Sequence, residues 1–311
     1  MYRFIDLFCG IGGFRIALEK RGLNCVYSSD IDRKAREAYK RNFGEEPEGD
    51  ITKIPANRIP GHDILCAGFP CQSFSIAGKQ NSIKDSRGRL FYEIVRIAEY
   101  HQPYILFLEN VRHILKIDNG RVIRSIETEL NNIGYNLHKY ILNSSFFGIP
   151  QSRKRVYFIA LRKDVEDKLK CVAPPKTFEK VFLEDILEDN VGKDFFISRN
   201  DIEITKKEDD LKNESKPLRV GIVSKGRQGE VIYSPKGHSI TITANGGGAG
   251  YNTGLYNTNQ GIRRLTIAEC KRVMGFSGSH WVSAAPHAYR QLGNAVIPGM
   301  VGHVWDNVKV L

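Results

Sequence analysis

Through the first half of the chain, short apolar runs alternate with stretches whose apolar residues recur at helical spacing. RFIDLF (3–8) reads as a strand, CGIGG (9–13) as a glycine turn, and Phe14, Ala17 and Leu18 as the inner face of a helix. NCVYSSD (24–30) is a second strand, with a helix expected to start near Asp32. DILCAG (63–68) is a third, and it empties into GFPCQSFS (68–75). Phe91, Ile94, Val95 and Ala98 then keep the i, i+3, i+4, i+7 rule of a helix over 90–101. YILFLEN (104–110) is a continuous apolar run of the kind a central parallel strand shows. A helix over 120–133 and a strand over 136–143 lead to GIPQSRKRVYFIALR (148–162), which ends in a further apolar strand. Strands alternating with helices predict an α/β fold with a doubly wound, mostly parallel, Rossmann-like sheet.

The alternation weakens after Leu161, and 163–214 is charged and irregular, so the domain change is placed there. Residues 217–256 turn to glycine, polar and β-branched types, the pattern of a smaller β-rich domain whose glycine loops present a surface. RRLTIAECKRVMGF (263–276) reads as one amphipathic helix with a basic face. QLGNAVIPGMVGHVWDNV (291–308) reads as a turn and then an apolar helix, which must be buried and so returns the chain to the first sheet. The expected division is 1–182 with 291–311, a second domain over 183–270, and a hinge over 271–290.

At 311 residues the chain is long enough for two domains. Its net charge of +11 and pI near 9.3 point to a polyanionic partner. The distribution is uneven: +9 over 1–178, −6 over 179–214 and +8 over 215–311. A basic last third with three acidic residues suits nucleic acid, because phosphate neutralisation supplies most non-specific affinity. Six cysteines without a CxxC pair or zinc spacing argue against a metal site and a disulfide framework. Arg3 and Asp6 interrupt the first apolar stretch and no run reaches membrane-spanning length, so a soluble, cytoplasmic protein is expected.

Ligands in an open parallel sheet bind beyond the carboxyl ends of the strands, where Cys71 would stand. A free cysteine is by type most often a small buried hydrophobe. The polar residues Gln72, Ser73 and Ser75 and the basic residues Lys79, Lys84, Arg87 and Arg89 move Cys71 towards a nucleophile in a loop that can close over an anion. Gly10, Gly12 and Gly13 miss the full GxGxxG, which disfavours a nicotinamide site. Asp30, about 20 residues on, suits the two hydroxyls of a ribose, the ordinary alternative being a helix cap. Asp50 in GDI (49–51) is a second carboxylate for the same ligand or a turn residue. Glu109 closes the fourth strand on the side of Cys71. Arg153 and Arg155, at i and i+2, could both reach one polar group if the chain there is extended.

FIDLFCGIGGF, GFPCQS, ENV, QSRKR, RRLTIAECKRVMGF and QLGNAV occur in the order seen in DNA (cytosine-5) methyltransferases, and the chain resembles that family over almost its whole length. The resemblance implies S-adenosylmethionine as cofactor, leaving S-adenosylhomocysteine, among Phe8, Gly10, Ile11, Gly12, Gly13, Asp30, Ile31, Asp50, Ile51, Pro70, Leu90, Asn294 and Ala295. Ile31 stands where the family often has an aromatic side chain against the adenine, so weaker cofactor affinity is expected. It implies Cys71 as the nucleophile that adds to carbon 6 of a flipped-out cytosine, Glu109 at ring nitrogen 3, and Arg153 and Arg155 orienting Glu109 and the cytosine carbonyl. Duplex DNA is the implied partner, with contacts from Gln72, Ser75, Arg87, Arg227, Gln228, Thr241, Gly246 and Gly247 and a short GCGC-like target. The resemblance places a guanine-reading arginine at the position of Val231, and valine cannot make that bidentate pair, so Arg227 is expected to take it over. A monomer is expected, reaching the nucleoid through DNA, with a restriction endonuclease encoded nearby but not bound. The rivals are a cytosine-5 methyltransferase of transfer RNA and a catalytically silent DNA-binding relative. The long segment between QSRKR and RRLTIAEC favours duplex DNA, and Cys71, Glu109 and Arg153 favour an active enzyme.

Overall fold

The computed structural model describes residues 1–70, 89–176 and 180–310. The chain divides into two compact units, Met1–Leu142 with Lys154–Pro174 and Pro298–Leu311, and Asn143–Arg153 with Pro175–Ile297. In the first unit the order is β1 (Arg3–Leu7), α1 (Gly13–Glu19), β2 (Asn24–Ser29), α2 (Arg33–Phe43), β3 (Ile64–Gly68), α3 (Arg89–His101), β4 (Ile105–Val111), α4 (Arg121–Asn132), β5 (Tyr135–Asn143), β6 (Lys154–Arg162) and β7 (Leu169–Cys171). The main sheet runs β2-β1-β3-β4-β6-β5, with β2, β1, β3 and β4 parallel. YILFLEN is central as expected, but only its β3 side is parallel, because β6 runs antiparallel to β4. Only the single 3-10 turn Ser144–Phe146 lies between β5 and β6, and a strand reached without a crossover helix returns in the opposite direction.

Alternate residues of these strands face opposite sides, and both sides are covered. Leu65, Ala67, Leu106, Leu108 and Phe158 pack with Phe91, Ile94 and Ala98 of α3 and Ile126 and Leu130 of α4. On the other side Phe107 meets Phe14 of α1 edge-on at 5.1 Å and stacks on Trp305 at 6.5 Å. Strands buried on both faces must be apolar at successive positions, which is why they read as unbroken runs. Trp305 ends α7 (Pro298–Trp305), so the apolar tail does return to the first sheet, followed by the short strand Val308–Val310 against β7.

The second unit carries a five-stranded sheet built from β8 (Ile202–Ile204), β9 (Leu218–Val223), β10 (Val231–Ser234), β11 (Leu255–Thr258) and β12 (Gly261–Arg263), ordered β12-β11-β10-β9-β8. Its small core is Val220, Val223, Ile232 and Leu255. Two helices follow, α5 (Ile267–Val273) and α6 (His287–Asn294). RRLTIAECKRVMGF is therefore not one helix. Thr266 and Glu269 form a capping box that starts α5 late, and Gly275, at φ +72°, lies just past its end. Arg263 belongs to β12 and is 1% exposed, so it forms no part of a basic outer face.

QLGN, expected as a turn, is the last turn of α6, and the break falls between it and Pro298. Gly293 there lies so close to a neighbouring loop that an added Cβ would meet the Ala244 nitrogen at 2.4 Å. The compact units also differ from the sequence division, since 143–153, 175–182, 271–290 and 291–297 all fall in the second unit. Backbone pairing accounts for the first of these: Ser152 donates to the Ser239 carbonyl at 2.9 Å and Ser239 to that of Pro150 at 2.9 Å. No described helix is long and apolar enough to cross a membrane, and no described group of three or more metal-type side chains lies together.

Candidate active site

In the first unit the glycine turn closes on a carboxylate. Gly10, at φ +55°, donates its N–H to Asp30 Oδ2 at 2.8 Å, and the Asp32 N–H reaches Asp30 Oδ1 at 2.8 Å. Asp30 is not the cap of α2. That role falls to Asp32, whose Oδ1 accepts from Lys34 and Ala35. Burial pushes the Asp30 carboxyl up, and the N–H donors of Asp32 and Gly10 oppose it. Each oxygen keeps a lone pair beyond its one backbone donor, enough to accept from a ribose diol.

Around this carboxylate, an added Cβ at Gly10 would meet nothing within 4 Å, whereas one at Gly12 would strike the Phe43 ring at 2.3 Å. Gly12, at φ +87°, is thus required by both conformation and packing, while Gly10 leaves room for a ligand. Ile31, next to Asp30, is 72% exposed, a large apolar side chain turned to water. Phe8 takes φ +55° and is half-buried. An anchored carboxylate, an open glycine turn and an exposed apolar side chain fit the ribose and adenine of a nucleoside.

The other residues expected there lie on several elements. Asp50 caps the short turn Ile51–Lys53, accepting from Thr52 N at 3.1 Å and Thr52 Oγ1 at 2.8 Å, and the Thr52 hydroxyl is the main cause that lowers its pKa. Ile11 and Ile51 are buried, Ile51 within the core below α3. Leu90 is half-buried at the start of α3, and Pro70 is exposed. Asn294, exposed, ends α6 and Ala295, buried, follows it, both in the second unit.

Asp30→Ala should weaken cofactor binding about 10- to 100-fold, the loss of hydrogen bonds to a charged group, with a smaller change in turnover. Calorimetric titration with the cofactor is the check. An unaltered titration would leave Asp30 with only its tie to the glycine turn.

At the carboxyl end of the sheet, register sets Glu109 of β4 beside Gly68, the last residue of β3. Glu109 is buried and its Oε1 lies 3.1 Å from Arg155 Nε. The next residue, Asn110, donates through Nδ2 to the Phe69 carbonyl at 2.8 Å and accepts the Val111 N–H at 2.8 Å. It thereby fastens the backbone two residues before Cys71 to the strand that carries Glu109. Sequence reasoning gave Asn110 no role, although an amide at an apolar strand end, beside a carboxylate, was the available signal. Cys71, Gln72, Ser75 and Arg87 lie outside the described residues.

Arg153 and Arg155 fall on either side of the point where β6 begins. Arg155 is in the strand, beside Glu109. Arg153 precedes it in the second unit, where its guanidinium donates to the carbonyls of Ile242 at 3.1 Å, Gly293 at 3.0 Å and Ala295 at 2.9 Å. Gln151, fully buried, accepts the Ile242 N–H at 3.1 Å and donates to the Val273 carbonyl at 3.3 Å. Gln151 and Arg153 thus tie together the segments that hold α5 and α6, a role that only their contacts disclose.

Of the other expected contacts, Arg227 and Gln228 are exposed between β9 and β10, with the Arg227 N–H held by Glu230 Oε2 at 2.9 Å. Thr241 spends its hydroxyl on the Ser152 carbonyl at 2.7 Å. Gly246 and Gly247 lie in the loop before β11; Gly246 packs closely against other backbone, whereas a Cβ at Gly247 would meet nothing within 4 Å. A Cβ at Gly246 would meet the Tyr251 carbonyl oxygen at 2.0 Å, and one at Gly229 would meet that of Gly247 at 1.9 Å.

The family model of C-5 cytosine-specific DNA methylases matches residues 2–309. The chain is 45% identical to the type II methyltransferase M.HhaI of Haemophilus parahaemolyticus, over 98% of this chain and 94% of that protein. It is 37% identical to the type II methyltransferase M.MspI of a Moraxella species, over 99% of this chain and 71% of that protein. Among solved structures, the Entamoeba histolytica methyltransferase EhMeth superposes with a TM-score of 0.75 at 21% identity, covering 99% of this chain and 97% of that one, a likeness of fold. With its α/β methyltransferase sheet, and with the family model matched almost from end to end, this chain belongs to the C-5 cytosine-specific DNA methylases, enzymes that take the methyl group of S-adenosylmethionine and leave S-adenosylhomocysteine.

Proposed function

We propose that this enzyme is a type II restriction-modification methyltransferase that modifies a flipped-out cytosine in a short, GCGC-like duplex site through a covalent adduct of Cys71. The observation that carries the reading is the buried Glu109, 3.1 Å from Arg155 and level with Gly68, three residues before Cys71. The names of M.HhaI and M.MspI support the type II assignment. The protein acts as a monomer in the cytoplasm, at the nucleoid, and does not bind its endonuclease.

Carbon 5 of cytosine is a poor nucleophile. Addition of the Cys71 thiolate to carbon 6 forms the S–C6 bond and moves the ring electrons towards carbon 5 and nitrogen 3. Glu109 hydrogen-bonds or protonates nitrogen 3 as that charge arrives. Arg155 fixes the Glu109 carboxyl and orients it towards the ring. Arg153 acts with it by holding the segments around Ile242, Gly293 and Ala295 in place. Bound S-adenosylmethionine supplies an electrophilic methyl on a sulfonium. Loss of the carbon 5 proton to a base then restores the double bond and expels the Cys71 thiolate. A base stacked in a duplex hides both ring faces, so this chemistry requires flipping, and Gln72, Ser75 and Arg87 support the opened duplex.

The second unit reads the sequence, with Arg227 and Gln228 exposed on one loop and Gly246 and Gly247 on another. Arg227 takes the guanine contact that Val231 cannot make. Loss of a base contact costs about 1–3 kcal/mol at one base pair, whereas loss of a phosphate contact weakens all sequences alike. Bisulfite sequencing of DNA methylated by the wild type and by Arg227→Ala separates the two. Relaxed choice at one position is the expected result, and an unchanged motif with uniformly lower methylation would defeat it. A wild-type motif without a central CG would defeat the GCGC-like reading. Label from radioactive cofactor appearing in transfer RNA and not in duplex DNA would defeat the duplex reading itself.

A further inference from the structure

Tyr251 combines two features that are costly to hold. Its backbone sits at φ +49°, the left-handed region that favours glycine and asparagine and penalises a bulky side chain. The residue is 48% exposed, in the loop between Gly246 and β11. Burial does not explain the strain, because the residue is about half exposed.

The backbone around it explains how the strain persists. Gly250 donates to the Gly229 carbonyl at 2.7 Å, which clamps this loop to the one carrying Arg227 and Gln228. Tyr251 donates to the Gly248 carbonyl at 3.2 Å, and Thr253 and Gly254 both return to the Gly250 carbonyl. On the other side Asn252 is pinned through Nδ2 to the carbonyls of Thr243 at 2.7 Å and Ala244 at 3.0 Å, while its own carbonyl accepts the Thr243 N–H at 3.0 Å. Residues 250 and 252 are each fixed, and the tyrosine between them has no ordinary conformation to relax into. A glycine at 251 would satisfy that backbone without penalty. Strain of this kind, kept by a surrounding network and carrying an exposed aromatic ring, marks function rather than packing.

We propose that Tyr251 is a specificity loop residue that contacts the duplex through its ring, packing against a base exposed by distortion of the target site. Aromatic rings suit that task because every base offers a π-face. The clamp from Gly250 to Gly229 places the ring on the loop pair that presents Arg227, so the aromatic contact and the guanine contact act on the same short target. This inference rests on the second unit being the recognition unit.

Three variants test it: Tyr251→Asn, which tolerates a left-handed backbone but lacks the ring, Tyr251→Phe, which keeps the ring, and Arg227→Ala. Thermal melting, cofactor titration and duplex binding are measured for each. For Tyr251→Asn, the expected results are a melting temperature equal to or above the wild type, unchanged cofactor affinity and about tenfold weaker duplex binding. Tyr251→Phe should bind duplex as the wild type does. A lower melting temperature for Tyr251→Asn with unchanged duplex affinity would make the ring structural and overturn the inference. Weaker binding by Tyr251→Phe equal to that of Tyr251→Asn would assign the contact to the hydroxyl and overturn the stacking role. If Arg227→Ala alters duplex binding and Tyr251→Asn does not, only this inference fails. If neither does, the recognition reading of the second unit fails with it.

Discussion

Cys71→Ser is expected to lose methylation by about a thousandfold or more while keeping cofactor and duplex binding. In the proposed mechanism the thiolate is the attacking species, and a cysteine with an ordinary pKa near 8.5 already has a few per cent of it at neutral pH. A serine hydroxyl has almost none, and no base positioned to deprotonate it is needed for a thiol. In the mechanism proposed above, Glu109 and Arg155, 3.1 Å apart, act only on electrons that the nucleophile has pushed into the ring, so they cannot compensate for its absence. Duplex carrying 5-fluorocytosine should trap the wild type covalently, because fluorine cannot leave from carbon 5 as the proton does. A trapped adduct with Cys71→Ser would refute the assignment.

The second large effect is on stability. Arg263→Met should lower the melting temperature of the second unit by roughly 10 °C, from a cost of about 3–5 kcal/mol for leaving a buried charge without its partner. Arg263 and Glu269 are 1% and 0% exposed and pair through two bonds, Nη1 to Oε2 at 2.9 Å and Nη2 to Oε1 at 2.7 Å. Glu269 also accepts the N–H groups of Thr266 and Glu188, at 2.8 Å each, so its carboxylate is the node that joins β12, the start of α5 and the segment at 188. Glu269→Gln in the Arg263→Met background removes the unpaired charge and keeps an oxygen for one of those two donors, and should recover part of the loss. Differential scanning calorimetry of the three variants reads both steps. A shift below about 2 °C for Arg263→Met would show that the carboxylate is not relying on its arginine.

Arg263 also shows where local pattern stops. In the sequence it is one of two adjacent arginines before a helix-spaced segment, and position alone makes it part of a basic outer face. The strand β12 turns it inward onto Glu269, a residue six positions later that is itself fixed by the capping box. Asp30 and Asp32 present the same problem, since either could cap α2. Cap geometry belongs to the backbone conformation at the helix start, and Asp32 takes it, which releases Asp30 to face the glycine turn. Arg153 and Arg155 read as a same-side pair on the premise of an extended chain. The strand starts at Lys154; Arg155 pairs with Glu109, and Arg153 donates to the carbonyls of Ile242, Gly293 and Ala295.

By itself, the sequence determined what depends on neighbours within a turn or a strand. The apolar runs marked β1 to β4, helical spacing marked α3 and α4, and the glycines marked the turn after β1, because period and conformational freedom are properties of a few consecutive residues. The apolarity of the tail sufficed to return α7 to the first sheet, since so apolar a helix must be buried. Tertiary structure alone decided that 143–153 leaves the first unit, that Gln151 and Arg153 bind segments around 242, 273 and 293, and that Gly229 and Gly250 join two loops. Those contacts span from about 20 to 140 positions along the chain, and no residue's type or spacing encodes which distant carbonyl will stand within hydrogen-bonding distance of it.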